Sequence, residues 1–372
     1  MEADFDVIIV GGGIAGSVCA YQLAKAGVGV LVIERGTSCG SKNMTGGRIY
    51  THTLAKVFPE YAGEAPLERK IVKDIFTYAG KTVEYPSADL GSQGEESYSV
   101  LRKGFDQWVA DQAENEGAMY ITGIRVDDLL VEDGKVRGVI AGDEEMTSEL
   151  VILADGVNSL LAQKLGMKEE IRPGEAEVGA KEVIKLDAAV IEERFGVAPG
   201  EGVSWMFEGV STLGHKGNGF LYTNKDSVSL GILTTVGDID CSEETVAGLV
   251  DKLHEHPEVK PLLEGGKLVE YSAHLLGKGG EVTRPKLYGD GVMVIGDAAS
   301  MVVNRGYVVR GMDLAVESAV LAAETAMAAN EAGDYSAGTL ASYGEAVKNS
   351  AVLSGAQENI KNLEEVAEVF SE

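Results

Sequence analysis

A glycine-rich turn directly after a buried strand constrains this sequence more than any other feature. Residues 7–10 read VIIV, a β-branched run typical of a strand buried on both faces. Gly11, Gly13 and Gly16 follow at the spacing Gly-x-Gly-x-x-Gly, and a helix-forming stretch and a second apolar strand come next. A strand, a glycine turn, a helix and another strand within about 30 residues predict the βαβ unit of a Rossmann-like fold.

The residues of this turn suit a bound pyrophosphate. Gly11 permits the tight turn, Gly13 brings the backbone close to the phosphates, and Gly16 lets the helix pack closely on the strand. Ile14 and Ala15 lie between these glycines. The positive N-terminal end of the helix that follows them is expected to face the phosphates.

Further positions extend the predicted site and favour FAD over NAD. Glu34 ends the second strand, 18 residues after the last glycine, where a carboxylate accepts hydrogen bonds from ribose hydroxyls. Arg102 precedes a predicted helix, where its guanidinium can pair with a phosphate. Asp155 and Gly156 end the segment ELVILADG, and Asp297 ends GVMVIGD, positions that suit a ribityl chain. A surface position for Arg102 and a helix N-cap function for Asp297 remain open on these residues alone.

The pattern predicts an α/β protein in which a glutathione-reductase-type FAD-binding lobe is interrupted by a second, mainly antiparallel α+β lobe. Alternating segments such as SVSLGILTTV indicate the antiparallel strands. A hairpin is predicted with Asp133 and Gly134 as its turn. The predicted segments are 1–75, 99–178 and 285–335 for the FAD-binding lobe, 76–98 and 179–284 for the second, substrate-binding lobe, and 336–372 for a helical tail.

Charge and cysteine content exclude several other classes of protein. The chain has 32 basic and 59 acidic residues, a net charge of −27, which disfavours nucleic acid as a partner. Its three cysteines, Cys19, Cys39 and Cys241, show no metal-ligand spacing and no Cys-x-x-Cys. We therefore expect reduced thiols, no metal site and no iron–sulfur cluster held by this chain.

The beginning of the sequence predicts neither a signal peptide nor a membrane helix. The start, MEADFDVIIV, has no basic segment. Residues 7–24 are uncharged, but four glycines within residues 11–16 suit a turn better than a membrane span. The expected location is the cytoplasm, at most with peripheral contact to the inner face of the membrane.

Three longer segments are more specific than these motifs: ERGTSCGSKNMTGGRIY (34–50), GFLYTNKDSVSLGIL (219–233) and PKLYGDGVMVIGDAASMVVNRGYVVRGMDLAVESA (285–319). Together with the motifs above they resemble the FixC branch of the electron-transfer-flavoprotein:quinone oxidoreductases. This branch lies within the FAD superfamily of aromatic hydroxylases and geranylgeranyl reductases. The resemblance extends from residue 4 to about residue 350.

The resemblance implies an FAD-dependent oxidoreductase that takes electrons from an electron-transfer flavoprotein and passes them towards quinone, with a separate ferredoxin-like partner. A helix end at the flavin pyrimidine edge would stabilise negative charge on the reduced ring. The cofactor-binding residues that it implies are Gly11, Gly13, Ile14, Ala15, Gly16, Glu34 and Arg35 for the ADP half; Arg102, Val126, Asp155 and Gly156 around the adenosine and pyrophosphate; Lys42, Asn43, Met44, Thr45 and Gly46 beside the isoalloxazine; Asp297 at the ribityl chain; and Gly311 and Met312 at the helix end.

Other functions remain open on the sequence. A flavin reductase of isoprenoid double bonds, a flavin monooxygenase and a relay subunit without independent turnover would share these motifs. Full-length quinone oxidoreductases of the family carry a ferredoxin-like part with cysteine ligands, which this chain lacks. The resemblance also implies that the chain is shorter than its FixC-branch relatives. Flavin chemistry requires no acid–base pair from the protein, so no catalytic residue is predicted.

The second lobe is expected to form the electron-acceptor face and any membrane contact. Its segment SWMFEGVSTLGHKGNGFLYTN combines aromatic side chains with a basic loop, which would suit an apolar quinone near a lipid surface. Alternatively, Trp205 and Phe207 fill the core of the lobe itself. The residues concerned are Trp205, Met206, Phe207, His215, Lys216, Phe220 and Tyr222.

Overall fold

Two sheets of different character organise the part of the chain that the structure describes. A computed structural model describes residues 3–43, 47–78, 81–90, 96–208, 217–239, 243–277, 285–304 and 309–358. One large sheet is mostly parallel, and the other is mostly antiparallel. The predicted α/β class with a mainly antiparallel second lobe is confirmed.

The first sheet is built from apolar strands that run parallel to one another. Its strands are β1 (Phe5–Val10), β2 (Val30–Glu34), β7 (Met119–Thr122), β10 (Glu144–Leu153), β16 (Tyr288–Gly289) and β17 (Val292–Val294). Their order is β16-β17-β10-β1-β2-β7, and every pair except β16–β17 is parallel. The carboxyl ends of β1, β2, β10 and β17 therefore lie at one edge, where ligands enter folds of this kind.

A hairpin extends from β10 at the other end. Strands β8 (Asp128–Glu132) and β9 (Lys135–Ala141) pair antiparallel, and β9 pairs with the start of β10. Asp133 and Gly134 between them have φ of +50° and +83°. Two positive φ values are what a tight two-residue hairpin turn requires, so the predicted hairpin is confirmed.

Helices cover the first sheet. Helix α1 (Ile14–Lys25) packs against both α5 (Arg102–Asn115) and α11 (Met312–Ala332), and α11 packs against α12 (Ala337–Asn349). The alanines of α11 permit close approach, because Ala319, Ala322, Ala323 and Ala326 are fully buried there. Both long helices expected from the sequence, after Arg102 and after Met312, are confirmed.

The second sheet draws its strands from two separated regions of sequence. Its strands are β3 (Gly47–Tyr50), β4 (Leu67–Tyr78), β5 (Lys81–Pro86), β6 (Ser97–Val100), β11 (Ala176–Lys185), β12 (Glu201–Glu208), β13 (Gly217–Thr223), β14 (Ser227–Thr235) and β15 (Lys267–Gly277). Their order is β15-β11-β14-β13-β12-β4-β6-β3, with β5 beside β4. Among the described strands of this sheet, only β12 and β4 pair in parallel.

Alternation along the strands gives this sheet two packed faces. On the outer face Trp205 and Phe207 stack at 4.7 Å between ring centroids, in a core shared with helix α9 (Val246–His254). On the inner face Phe220 and Tyr222 belong to a separate cluster. The alternative that Trp205 and Phe207 fill the lobe's own core is therefore confirmed.

The remaining described elements are short. They are α2 (His52–Val57), α3 (Tyr61–Glu64), α4 (Ser87–Leu90), α6 (Leu160–Lys164), α7 (Ala188–Phe195), α8 (Val236–Ile239), α10 (Lys260–Leu263), α13 (Ala351–Glu358), a 3-10 turn (Gly296–Ala299), β18 (Val303–Asn304) and β19 (Val309–Arg310). No helix in the described ranges is long and apolar enough to cross a membrane.

The predicted lobe segments stay a prediction, but several of their boundaries fall inside elements. Residue 75 lies within β4, residue 98 within β6 and residue 178 within β11. Strands β3 and β4 also join the second sheet, although most of their residues were predicted in the FAD-binding part. The reason is a long-range pairing of β4 with β12, which no local pattern specifies.

Candidate functional site

Backbone contacts leave no room for a side chain at two glycines of the turn after β1. Gly11 has φ of +109°, and a Cβ there would lie 2.3 Å from the carbonyl oxygen of Ala154. A Cβ at Gly16 would lie 2.0 Å from the carbonyl oxygen of Gly11. Both positions therefore require glycine, and they hold the start of α1 against the end of β1.

Gly13 leaves the turn open to a cavity. It precedes Ile14 and Ala15, the first residues of α1, and all three residues line this cavity. The helix end has no side-chain cap and no acidic residue in its first turn. Among the described residues, a Cβ at Gly13 would meet only Asn43, at 3.7 Å. A phosphate can therefore approach the backbone and the positive end of α1 closely.

Two backbone N–H groups fix the carboxylate of Glu34 at the end of β2. Its Oε2 accepts a hydrogen bond from Gly12 N at 2.8 Å, and its Oε1 accepts one from Gly36 N at 2.6 Å. The side chain is 9% exposed and lines a cavity of about 500 Å³. Each oxygen can accept a second hydrogen bond, so two ribose hydroxyls fit this carboxylate.

The residues predicted around the adenosine converge on the same cavity. Arg35, Val126, Asp155 and Gly156 all line it. Oδ1 of Asp155 accepts a hydrogen bond from Ser159 Oγ at 2.9 Å, which orients the carboxylate. Burial raises the pKa of Asp155, and the hydrogen bond from Ser159 opposes that rise.

Asp297 follows β17 and lines an adjoining cavity of about 180 Å³. Desolvation raises the pKa of Asp297, and the positive charge of Arg102 opposes that rise. The N-cap of the 3-10 turn is Ile295, and it makes no side-chain capping hydrogen bond. The alternative that Asp297 is a helix N-cap is therefore wrong, and its carboxylate remains available to the cavity.

Lys168 joins the segment that follows β10 to the segment that follows β17. Its Nζ donates hydrogen bonds to the carbonyl oxygens of Val157 at 2.7 Å and Ala298 at 3.1 Å. Burial lowers the pKa of Lys168, while the nearby carboxylates of Asp155 and Asp297 oppose that change. The lysine thus links the two segments that carry these carboxylates.

Arg102 forms a two-pronged ion pair at the start of α5. Its Nε and Nη2 donate to the two carboxylate oxygens of the buried Asp106, each at 2.8 Å. Asn43 also donates to Asp106. Lys42 and Asn43 line the larger cavity, and Arg102 and Asn43 line the smaller one. The alternative of a surface arginine is wrong, since the Arg102 side chain is only 20% exposed.

The predicted Met44, Thr45 and Gly46 lie outside the described residues.

The smaller cavity extends to the start of α11, between the two sheets. Gly311 and Met312 line it there. The inner face of the second sheet forms an apolar wall from Phe220, Tyr222, Leu233 and Leu276. The two cavities are continuous, because they share the lining residues Gly13, Asn43, Ala154, Gly156 and His274.

A buried group of two ion pairs, here called the arginine cluster, adjoins this apolar wall. Arg48 pairs with Asp74 at 2.5 Å, and Arg310 pairs with Asp313 in the first turn of α11. The guanidinium carbons of Arg48 and Arg310 lie 4.8 Å and 4.4 Å from the centroid of the Tyr50 ring. Cation–π contacts of this length hold both guanidinium groups over the ring.

Sequence reasoning missed three residues of the site: Arg48, Lys168 and His274. Arg48 follows the glycine pair of the TGGR segment, so its position in a family-like segment was an available signal. His274 lines both cavities from the strand β15, where alternation with Leu276 places both on one face. Lys168 gave no signal, because its two acceptors are distant in sequence.

The five aromatic and methionine side chains expected near lipid are all buried. Trp205, Met206, Phe207, Phe220 and Tyr222 are at most 7% exposed. Direct contact of these side chains with a membrane surface is therefore wrong, whereas Phe220 and Tyr222 do border the cavity. The basic loop with His215 and Lys216 lies outside the described residues.

The continuous cavity runs from a fixed carboxylate, past an open helix end, to an apolar compartment between two sheets. This arrangement matches a dinucleotide that carries a large planar ring. The fold and the site therefore define an FAD-binding protein of the two-lobed oxidoreductase class.

Known proteins agree with this class and narrow it to a family. A family model described as FAD dependent oxidoreductase matches residues 6–90. The probable electron transfer flavoprotein-quinone oxidoreductase YdiS of Escherichia coli is 46% identical over 94% of this chain and 82% of its own length. Protein FixC of Salmonella typhi is 46% identical over 92% of this chain and 81% of its own length. The chain belongs to this FixC family and is an FAD-dependent oxidoreductase.

Solved structures support the same fold. A geranylgeranyl bacteriochlorophyll reductase-like protein from Thermoplasma acidophilum has a TM-score of 0.76 at 23% identity, over 92% of this chain and 83% of its own. The flavin-dependent brominase Bmp2 has a TM-score of 0.68 at 17% identity, over 92% of this chain and 83% of its own. At such low identity these similarities concern the fold alone.

Proposed function

We propose that this chain accepts electrons from an electron-transfer flavoprotein and delivers them through FAD to a quinone. The observation that carries the proposal is the cavity of about 180 Å³ between the start of α11 and the second sheet, because its second-sheet side is apolar. Phe220, Leu233 and Leu276 on its wall suit a flat apolar ring. The family relatives YdiS and YgcN, named as probable electron transfer flavoprotein-quinone oxidoreductases, support the same donor and acceptor.

FAD bound here would take up and release two electrons. Glu34 would accept hydrogen bonds from the ribose, and Gly13 with the start of α1 would hold the pyrophosphate. Asp297 would accept hydrogen bonds from the ribityl hydroxyls. Gly311 and the positive end of α11 would stabilise negative charge at the pyrimidine edge of the reduced ring. The buried inner face of the second sheet would exclude water from the compartment.

The proposed function includes a ferredoxin-like partner and peripheral contact with a membrane. The first rests on the resemblance to the FixC branch, and no pair of cysteines in this sequence has the Cys-x-x-Cys spacing that would hold an iron–sulfur centre. The second rests on the low water solubility of long-chain quinones. Flotation with liposomes that contain quinone would test the contact, and protein that stays at the bottom of the gradient would contradict it.

The decisive experiment combines the FAD-loaded protein with a reduced electron-transfer flavoprotein and a short-chain quinone under anaerobic conditions. We expect rapid bleaching of the bound flavin by the donor and its recovery on addition of quinone. Free FAD at equal concentration is the control for direct chemistry. Bleaching without recovery by quinone would contradict the proposed acceptor and favour a relay subunit.

A further inference from the structure

Arg48 is a charged residue beside the apolar wall of the smaller cavity, which Arg102, His274 and Asp297 also line. It lies in β3, and it lines the same cavity as Phe220, Tyr222 and Met312. Its side chain is 10% exposed. A guanidinium in such surroundings is costly unless hydrogen bonds satisfy it, so its partners decide what it can do.

Part of the guanidinium is fixed by the protein. Nη1 pairs with Asp74 Oδ1 at 2.5 Å, and Nε donates to Ser97 Oγ at 2.9 Å. The other oxygen of Asp74 accepts from Ser87 Oγ at 2.5 Å, so this carboxylate is held from both sides. The contact with Tyr50 restrains the guanidinium plane further. Arg48 is therefore preorganised before any ligand binds.

The Arg48 guanidinium also has N–H groups that donate no hydrogen bond to the described protein. It carries five N–H groups, and the contacts to Asp74 and Ser97 use two of them. Within the described ranges, Nη2 of Arg48 donates no hydrogen bond to the protein. Because Arg48 borders the cavity, these N–H groups are available to a molecule bound there.

The net charge of the arginine cluster indicates what kind of molecule binds beside Arg48. In the arginine cluster, Asp74 and Asp313 neutralise Arg48 and Arg310. The cluster thus has no net charge to attract an anion, but it retains a strong hydrogen-bond donor. A neutral, flat molecule with a carbonyl oxygen fits both the donor and the apolar wall.

We propose that Arg48 positions the quinone, with Nη2 donating a hydrogen bond to one of its carbonyl oxygens. This inference rests on the proposed function. The quinone takes up two electrons and two protons to become a quinol; anionic reduced FAD would supply the two electrons and one proton, and water would supply the second proton. Arg48 is neither oxidised nor deprotonated, and it stabilises the negative charge that develops on the oxygen.

The test compares wild type with Arg48→Lys, which keeps a positive charge beside Asp74 but lacks the second arm of the guanidinium. The oxidised, FAD-loaded protein is titrated with a short-chain quinone, and the perturbation of the flavin absorption spectrum gives the Kd. We expect Arg48→Lys to raise the Kd about tenfold, as the loss of one charge-assisted hydrogen bond would. Flavin reduced with dithionite is then mixed with quinone, and its reoxidation should slow at low quinone concentration and recover at saturation.

Ferricenium, an acceptor without oxygen atoms, is the control for electron transfer itself. Its rate of flavin reoxidation should stay within about twofold of wild type in Arg48→Lys, because no hydrogen bond to an oxygen is involved. Arg172→Lys is the control variant, since the Arg172 side chain is 74% exposed and is not among the described residues that line either cavity. Its Kd for quinone should match that of wild type.

The outcomes separate this inference from the proposed function. If quinone neither perturbs nor reoxidises the flavin of wild type while ferricenium does, the proposed function is wrong and the inference is wrong with it. If wild type uses quinone and Arg48→Lys has the same Kd, only the inference is wrong. A changed flavin potential with unchanged quinone affinity would instead place Arg48 against the flavin and overturn the proposal.

Should Arg48→Lys not fold, Ser97→Ala, which removes only the Nε partner, should raise the Kd about threefold.

Discussion

At the scale of single residues, Glu34 combines a structural contact with a binding position. Its two oxygens accept hydrogen bonds from Gly12 N and Gly36 N, which fixes the carboxylate before a ligand arrives. The remaining lone pairs face the larger cavity. Such preorganisation lowers the entropy that binding costs.

Glu34→Gln should weaken FAD binding much more than it weakens folding. The amide keeps the shape of the side chain but loses the charge that strengthens hydrogen bonds from ribose hydroxyls, about 1.5–3 kcal/mol or roughly ten- to a hundredfold in Kd. Isothermal titration of flavin-free protein with FAD measures the effect, and circular dichroism checks the fold. Glu132→Gln, at an exposed position in β8, is the control. A full flavin-to-protein ratio after dialysis of Glu34→Gln would contradict the assignment.

Lys181 is a second residue whose surroundings lead to a testable prediction, because burial changes its pKa. It lies in β11, is 0% exposed, and its Nζ has no hydrogen-bond partner within the described part of the chain. Burial lowers the pKa of Lys181 to about 7, with Glu270 opposing and Arg102 adding to this change. The charged form is therefore disfavoured by the fold.

The contribution of Lys181 to the free energy of unfolding should consequently rise with pH between about 7 and 10.5. In that window the unfolded chain holds a proton on Lys181 that the folded chain has released, so the slope contributed is about 1.4 kcal/mol per pH unit. Lys181→Met should be more stable than wild type at pH 7, and its advantage should shrink as pH rises. Urea denaturation at several pH values measures this difference. Lys185→Met, with a 60% exposed side chain in the same strand, is the control, and parallel pH profiles for wild type and Lys181→Met would refute the prediction.

At the scale of elements, the site forms where the ends of three strands and the starts of two helices meet. β1, β2 and β10 end in the glycine turn, Glu34 and the Asp155 segment, while α1 and α11 begin at the cavity. Lys168 links the segments after β10 and β17 by two hydrogen bonds to carbonyl oxygens. Lys168 therefore supports the spacing of these elements, although it is not among the described residues that line either cavity.

Lys168→Met should loosen these segments and weaken FAD retention. It leaves two buried carbonyl groups without a donor, at a cost of about 1–3 kcal/mol each. It also removes a positive charge beside Asp155 and Asp297. We expect faster loss of flavin in gel filtration and a lower urea midpoint, with Lys168→Arg partly restoring both. Equal flavin retention in Lys168→Met and wild type would show that the spacing is set elsewhere.

At the scale of the whole molecule, the cavity lies between two independently built sheets. The first contributes the phosphate-facing turn, and the second contributes the apolar wall with Phe220 and Tyr222. A ligand in this position contacts both sheets, so it should stabilise their association. The described cysteines, Cys19 and Cys39, are buried and line neither cavity. We therefore expect the FAD to be held without a covalent bond.

Removal of FAD should therefore lower the thermal midpoint reversibly. FAD at a hundred times its Kd adds about 2.7 kcal/mol to the free energy of unfolding. Differential scanning calorimetry of flavin-free protein with increasing FAD should show a midpoint that climbs with ligand concentration. Acid precipitation should release yellow FAD into the supernatant. A coloured pellet would refute non-covalent binding, and a midpoint independent of FAD would refute the bridging of the two sheets.

The sequence by itself determined the features that depend on local geometry. The glycine turn, Glu34, Asp155 and Asp297 were predictable, because tight turns and strand ends require particular residues at short, fixed spacings. The βαβ unit and the antiparallel second lobe followed from hydrophobic periodicity. These features need no knowledge of distant contacts.

Only the tertiary structure decided which distant residues complete the site. Lys168 reaches Ala298 across 130 positions, and β4 pairs with β12 across a similar distance. The pairing of β3 with β6 and of β15 with β11 places Arg48 and His274 at the cavity. The register of β12 with β13 separates Trp205 from Phe220 by sheet face. A shift of one residue in register reverses which side chains face the cavity, and local patterns carry no information about the partner strand.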